Sequence, residues 1–360
     1  MKEFWSSRIR DLVPYTPGEQ PKDRKFIKLN TNENPYPPSG QALEAIRRAT
    51  GEELRLYPDP ECTALRETLA AYHGLQPGEI FVGNGSDEVL AMCFQAFFEP
   101  ERPVVFADIT YSFYPVYAHF FGQAFREIPL DDHFNLPVER YVGGNGGVIL
   151  ANPNAPTGRE VPLKDIKTIL EGNPESVVVV DEAYVDFGAR SAVDLIHSYP
   201  NLVVVRTLSK SRSLAGLRVG YAMGNANLMA ALNCVKNSIN SYTLDRLALV
   251  GAEAAVRDTA YWQATLFKVM HTRAWAETAL RRLGFSVCDS AANFLFVTHP
   301  EVPARQLLAG LREKGILVRW WDRPRIDNYL RISIGTDEDM QALCQALQEL
   351  LEQHRTGESQ

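Results

Sequence analysis

Three observations predict an α/β fold: a mainly parallel sheet flanked by helices, with a smaller α+β region attached. First, three continuous apolar runs of strand length, GVILAN (147–152), SVVVVD (176–181) and LVVVR (202–206), crowd the middle of the chain. Runs without alternation suit strands buried on both faces of a parallel sheet. Second, the helical pattern LKDIKTILEG sits between the first two runs, as a βαβ crossover requires. Third, near residue 260 this alternation gives way to one long helical stretch followed by short strands and helices.

The elements follow in order. The first forty residues, ending in LNTNENPYPPSG, are rich in Pro, Asn, Lys and Asp and read as an extended arm with no helix. QALEAIRRA has the apolar spacing of an amphipathic helix. EIFVG (79–83) is a strand, followed by GNGS and the helical run SDEVLAMCFQAFF. PVVFAD (103–108) is the next strand, before a segment rich in Tyr and Phe, and VGGNGG (142–147) is a turn before the strand it enters. Residues 260–283 form one helix; NFLFV, GILVR and YLRISIG are short strands, and ARQLLAGLREKG and MQALCQALQELLEQ are helices. The tail HRTGESQ is expected to fray. The expected organisation is an arm at 1–40 joining a small domain at 260–360, and a large domain at 41–259.

Composition narrows the function classes. A chain of 360 residues can bury a large core, as two domains or one large α/β unit. The net charge of −7 argues against a nucleic-acid partner, which calls for a basic surplus. No run reaches the ~18 apolar residues of a membrane span, and MKEFWSSRIRDLVPY lacks the apolar core of a secretory signal. The five cysteines are scattered, odd in number and without a C-x-x-C pair. That fits reduced thiols in a cytoplasmic enzyme better than a disulfide framework or a zinc site.

In open α/β sheets, ligand groups gather at the carboxyl ends of the strands. There the chain carries Ser86 and Asp87, Tyr111, Asn154, Asp181 and Tyr184, then Ser209, Lys210 and Arg218. Each has a bland reading. Ser86 could simply cap a helix, and Tyr111 could be core beside Phe113, Tyr114 and Tyr117. Asn154 could be a turn residue, Arg218 part of a surface ion pair, and Lys210 a solvated loop lysine. Asp181 could pair with a nearby arginine or cap the next segment; the alternative is the protonated ring nitrogen of a bound heterocycle. Together they are hard to explain as packing. GNGSDE at a helix start would receive an anion, and it is not the G-x-G-x-x-G of a dinucleotide fold. A lysine amine in a partly desolvated pocket can form a Schiff base with an aldehyde. An aldehyde on a heterocycle that carries a phosphate and needs an acidic partner is pyridoxal phosphate.

NPNAPTG, DEAYVDF, TLSKSRSLAGLRVGY and LRISIG resemble the fold-type I, class I/II PLP-dependent aminotransferases. LNTNENPYPPS, RLYPDP, FVGNGSDEVL and NYLRISIGT resemble their histidinol-phosphate aminotransferase branch, over about Leu12 to Thr336. The resemblance implies a large domain with a mainly parallel seven-stranded sheet, plus a smaller α+β domain. It implies Lys210 as the Schiff-base lysine and Asp181 on the pyridine nitrogen. Asn154 and Tyr184 would contact the ring 3-oxygen, Tyr111 would stack on the ring, and Ser86, Asp87, Ser209 and Arg218 would form or border the phosphate cup. Tyr57 would reach the cofactor phosphate of the neighbouring subunit, hence a homodimer. Arg331 would grip the substrate anion, while Arg319 and Tyr15 would help to recognise a substrate phosphate. The expected reaction converts histidinol phosphate and 2-oxoglutarate into imidazole acetol phosphate and glutamate, in histidine biosynthesis. An aromatic amino acid transaminase is the alternative, and a threonine-phosphate decarboxylase a further one. Trp320 and Trp321 add two large rings after Arg319, where the family often has smaller or less aromatic residues, and Tyr242 lies close to the expected dimer edge.

Overall fold

The computed structural model describes residues 4–22 and 24–357. The strands are β1 (Ile27–Lys28), β2 (Ile80–Asn84), β3 (Val104–Ala107), β4 (Phe125–Ile128), β5 (Gly147–Ala151) and β6 (Val178–Asp181). They continue as β7 (Leu202–Thr207), β8 (Val219–Gly224), β9 (Ser286–Val287), β10 (Phe294–Thr298), β11 (Ile316–Leu317) and β12 (Leu330–Ser333). Seven of them form one sheet in the order β2-β8-β7-β6-β5-β3-β4. β8 pairs antiparallel with both β2 and β7, and the remaining pairs are parallel.

The continuous apolar runs are explained by two-sided burial. Val178, Val180, Leu202 and Val204 pack in the core on one face, and Val179, Val203 and Val205 in the core on the other. With a side-chain period of two, a strand covered on both sides has no polar position to spare. Two strands escape the run criterion. β4 is an edge strand and exposes Arg126 and Glu127. β8 is interrupted by Gly220 and ends at Gly224, although all six of its residues are buried. The Tyr- and Phe-rich segment is the helix Phe113–Phe121.

A second core gathers Leu29, Val269, Leu280, Leu295, Val297, Ile332, Leu343 and Leu347. Its sheet is β12-β10-β9, all antiparallel, and the helices Thr259–Arg282, Ala304–Glu313 and Asp337–Gly357 contribute to the same core. Beyond β11 the chain returns to this sheet through a single bridge, Arg319 to Arg331. The arm is extended apart from one helical turn at Ser7–Arg10, and its strand β1 pairs in parallel with β11. The last helix runs through Gly357, so His354–Gly357 do not fray as the composition suggests. The remaining tail residues lie outside those described.

Candidate active site

All strands of the large sheet except β8 point the same way, so their carboxyl ends share one edge. β8 runs against them, which brings its first residues, and Arg218 just before it, to that same edge. A cavity of about 460 Å³ opens there. It is lined by Tyr15, Ser86, Asp87, Tyr111, Asp181, Tyr184, Ser209, Lys210, Arg218, Arg319 and Arg331, eleven of the thirteen residues singled out from the sequence. Lys210, Arg218, Arg319 and Arg331 face two lining carboxylates, Asp87 and Asp181. The surplus of positive charge favours anionic ligands.

Asp181 ends β6 and is buried. Its Oδ2 accepts the Tyr114 hydroxyl at 2.8 Å and its Oδ1 the Ala183 N–H at 3.2 Å. No cation pairs with it among the described residues. Desolvation therefore pushes its carboxyl up to about 6, against the pull of those two bonds. The arginine reading for Asp181 is thus set aside. Tyr114, which the sequence leaves as core, is the side chain that holds it.

The helix Gly85–Phe97 starts at the end of β2. Ser86 is inside its first turn and does not cap it; the N-cap is Asn84, whose side chain makes no capping bond. The first backbone N–H groups are left for an anion. Gly85 sits at φ +80, and a Cβ on Gly220 would come within 2.3 Å of the Ser86 nitrogen. Only glycine there lets β8 lie this close to the helix start. Asp87 turns its side chain away from the helix axis: Oδ2 pairs with Arg218 at 3.0 Å and Oδ1 accepts the Tyr111 hydroxyl at 2.8 Å. Ser209 Oγ is held by Thr207 Oγ1 at 2.9 Å.

Lys210 Nζ donates to the Thr31 carbonyl at 3.1 Å, and the Asn34 amide donates to the Lys210 carbonyl at 3.2 Å. Asn32 Nδ2 donates to the Tyr184 hydroxyl at 3.0 Å, and Arg331 donates to the Asn30 carbonyl at 2.9 Å. The segment LNTNEN thus touches Lys210, Tyr184 and Arg331. The sequence marks this segment as family-like but gives none of its residues a role, because backbone carbonyls leave no trace in residue type.

Arg319 and Arg331 face each other across their bridge, with N···O distances of 3.0 and 2.8 Å. Arg319 bonds to the carbonyls of Thr16 and Pro17. Among the described residues neither arginine has a carboxylate partner, and Arg331 Nε is buried without one. Burial depresses the Arg331 guanidinium below its ordinary range, with Arg319 acting in the same direction. Tyr15 stacks on Phe113 at 4.4 Å, and burial raises its phenol.

Two expected residues stand apart. Asn154 is buried behind the cavity wall and both its donor hydrogens are used: Nδ2 donates to the Ile109 carbonyl and to Thr157 Oγ1, while Oδ1 accepts Thr110 Oγ1 at 2.7 Å. The expected contact with a ring therefore finds its donors already in use. Tyr57 is 79% exposed and stacks on Tyr242 at 4.6 Å, away from this cavity.

An uncapped helix start, Lys210 and a cationless buried carboxylate share one sheet edge, and the aminotransferase class I and II family model matches residues 24–347. The chain belongs to this family. Among its aminotransferase relatives, the histidinol-phosphate aminotransferase of Clostridium acetobutylicum is 54% identical, covering 98% of this chain and 100% of that one. Histidinol-phosphate aminotransferase 1 of Pseudomonas aeruginosa is also 54% identical, over 96% and 99% of the two chains. Among solved structures, the Sinorhizobium meliloti histidinol-phosphate aminotransferase in complex with pyridoxal-5'-phosphate superposes with a TM-score of 0.86, at 26% identity over 98% of each chain. In this aminotransferase the expected α/β architecture, with its seven-stranded and mainly parallel sheet, is what the structure shows.

Proposed function

We propose that this aminotransferase holds pyridoxal 5'-phosphate at the sheet edge and moves the amino group of histidinol phosphate to 2-oxoglutarate. The residues fit the cofactor. Asp181 is a buried carboxylate that needs a cation, which a protonated pyridine nitrogen supplies. The uncapped start of the helix Gly85–Phe97, with Ser209 and Arg218, suits a phosphate. When bound, the cofactor supplies an aldehyde that takes the amino group and a ring that draws electrons from the substrate α-carbon.

The chain's own residues do the rest. Lys210 Nζ would hold the aldehyde carbon and, once displaced, take and return the proton at the α-carbon. Asp181, steadied by Tyr114, would keep the ring nitrogen protonated. Tyr111 would cover the ring, and Tyr184, oriented by Asn32, would donate to the 3-oxygen. Asn154 belongs beside Tyr184 only if it gives up one of its present bonds.

The observation that carries the substrate reading is the paired Arg319 and Arg331 without a counter-anion. In histidinol phosphate the amino-bearing carbon carries a phosphorylated hydroxymethyl group where an amino acid carries its carboxylate. The two guanidiniums and the Tyr15 hydroxyl suit that dianion, and glutamate presents a carboxylate to the same end.

The same reading joins the chain into a homodimer, with Tyr57 reaching the cofactor phosphate of the neighbouring subunit. Exposed Leu54, Leu56, Tyr57, Ile239 and Tyr242 support it. It also divides the chain into the arm 1–40, the large domain 41–259 and the small domain 260–360, with separate cores in support. Five free cysteines suit a cytoplasmic location, and no described helix is long and apolar enough to cross a membrane.

The test is kcat/KM with 2-oxoglutarate for histidinol phosphate, phenylalanine and tyrosine. A site built for a phosphate leaves its arginines unpaired with the other donors, so histidinol phosphate is expected to lead by about 100-fold or more. If phenylalanine or tyrosine matches it, the arginines serve a carboxylate and the enzyme is an aromatic transaminase.

A further inference from the structure

We propose that Trp321 is a substrate-positioning residue: its ring holds Arg319 and Arg331 side by side so that both serve one dianion. The proposal rests on the substrate reading above. Like charges directly opposite each other on paired strands repel. Here two arginines face each other across a bridge, yet no described carboxylate separates them. Instead both guanidiniums lie against one ring, that of Trp321. The Arg319 guanidinium lies 5.5 Å from its centre and that of Arg331 5.2 Å. Phe294 receives Arg331 on a second ring at 5.3 Å.

An aromatic face attracts a cation without accepting its hydrogen bonds as a carboxylate does. The N–H groups that do not bond the arm's carbonyls therefore keep no protein acceptor, and the buried Nε of Arg331 is one of them. A carboxylate in the same place would compete with the substrate for both arginines.

Trp321 is itself anchored. It borders the cavity and packs against a cluster that includes Ala107, Ile109, Leu130, Phe296 and Ile326, drawn from two separate stretches of the chain. The following loop is pinned to the large sheet by Arg325 on Asp108 at 2.8 Å. The neighbouring Trp320 does something else: its Nε1 donates to the Asp327 carbonyl at 2.7 Å, its ring packs on the second core, and it does not line the cavity.

The experiment compares cofactor-loaded wild type with Trp321→Leu, Trp321→Phe and Trp320→Phe. It measures kcat and KM for histidinol phosphate and for histidinol, the inhibition constant of inorganic phosphate, and the melting temperature. With Trp321→Leu, KM for histidinol phosphate and the phosphate inhibition constant are both expected to rise about tenfold, with kcat changed far less. The preference for histidinol phosphate over histidinol should fall by the same factor. Trp321→Phe should recover part of it, and Trp320→Phe should leave the preference unchanged. A folded Trp321→Leu that keeps both the preference and the phosphate inhibition overturns the proposal. If that variant does not fold, the same two readouts on Trp321→Phe decide it. A wild type that does not distinguish histidinol phosphate from histidinol overturns the substrate reading instead. The phosphate inhibition constants then judge Trp321 alone.

Discussion

The two ends of the cavity are built differently. The end that the proposed function gives to the cofactor consists of residues at the ends of strands of the large sheet, held by side chains: Tyr114 on Asp181, and Arg218 and Tyr111 on Asp87. The end proposed for the substrate joins the distant arm to the Arg319–Trp321 stretch and β12. Its arginines rest on backbone carbonyls of Thr16, Pro17 and Asn30 and on aromatic faces. A sheet edge positions groups through its own register. The other end depends on the arm staying docked. Damage to the first should therefore strike the chemistry, and damage to the second should strike recognition.

The sharpest way to break this division is Lys210→Ala. Activity is expected to fall by at least about 10⁴-fold, because the variant loses both the attachment point and the proton carrier. The visible absorbance of the reconstituted enzyme should change with it. A variant that keeps the wild-type band and rate removes Lys210 from the mechanism.

Asp181→Asn comes next, with an expected loss of about 10³-fold in kcat, since an amide does not hold a ring nitrogen protonated. Its stability should move the other way in cofactor-free protein. The folded carboxyl titrates at about 6, above its ordinary value of 3.8, so its contribution is favourable below pH 4 and is lost as pH rises through 6. At pH 7 that burden is on the order of 2–3 kcal/mol. Cofactor-free Asp181→Asn should therefore melt higher than cofactor-free wild type at pH 7, and the gap should close toward pH 4. A gap that does not depend on pH counts against a strained carboxylate.

At the substrate end, Arg331→Ala is expected to lower kcat/KM for histidinol phosphate by about 100-fold, and Arg319→Ala by about tenfold, mainly through KM. If kcat rather than KM carries the loss, the split between chemistry and recognition fails. The smallest effect belongs to the arm. Asn32→Ala removes the bond to Tyr184 and one to Ser333, and should cost about 1–2 kcal/mol in chemical denaturation while activity drops only a few-fold. An unchanged denaturation midpoint would show that the arm's docking does not depend on Asn32.

The cofactor end was largely legible because strand ends are written in residue types. A run of valines followed by Asp181, or a run ending in Ser209 and Lys210, marks both the strand and the group it delivers. Burial on two faces leaves no room for a polar residue until the strand stops. Even there the reading stops short of contacts. Tyr111 and Tyr114 sit in one aromatic stretch, and only packing assigns one to Asp87 and the other to Asp181. Ser86 looks like a cap because serine often is one, but the turn begins a residue earlier, at Gly85.

By itself, then, the sequence determined the alternating core, the lysine, the buried carboxylate and the glycine-rich helix start, since each follows from local burial and local backbone needs. Tertiary structure alone decided that β8 runs backwards and returns Arg218 to the site. It alone placed the arm's carbonyls on Lys210 and Arg331, engaged Asn154 from behind, and brought both arginines onto the ring of Trp321. Most of these are contacts between residues far apart in the chain, and Trp321 meets its two arginines only because the chain folds back onto β12. They depend on register and docking, which no short stretch of residues encodes.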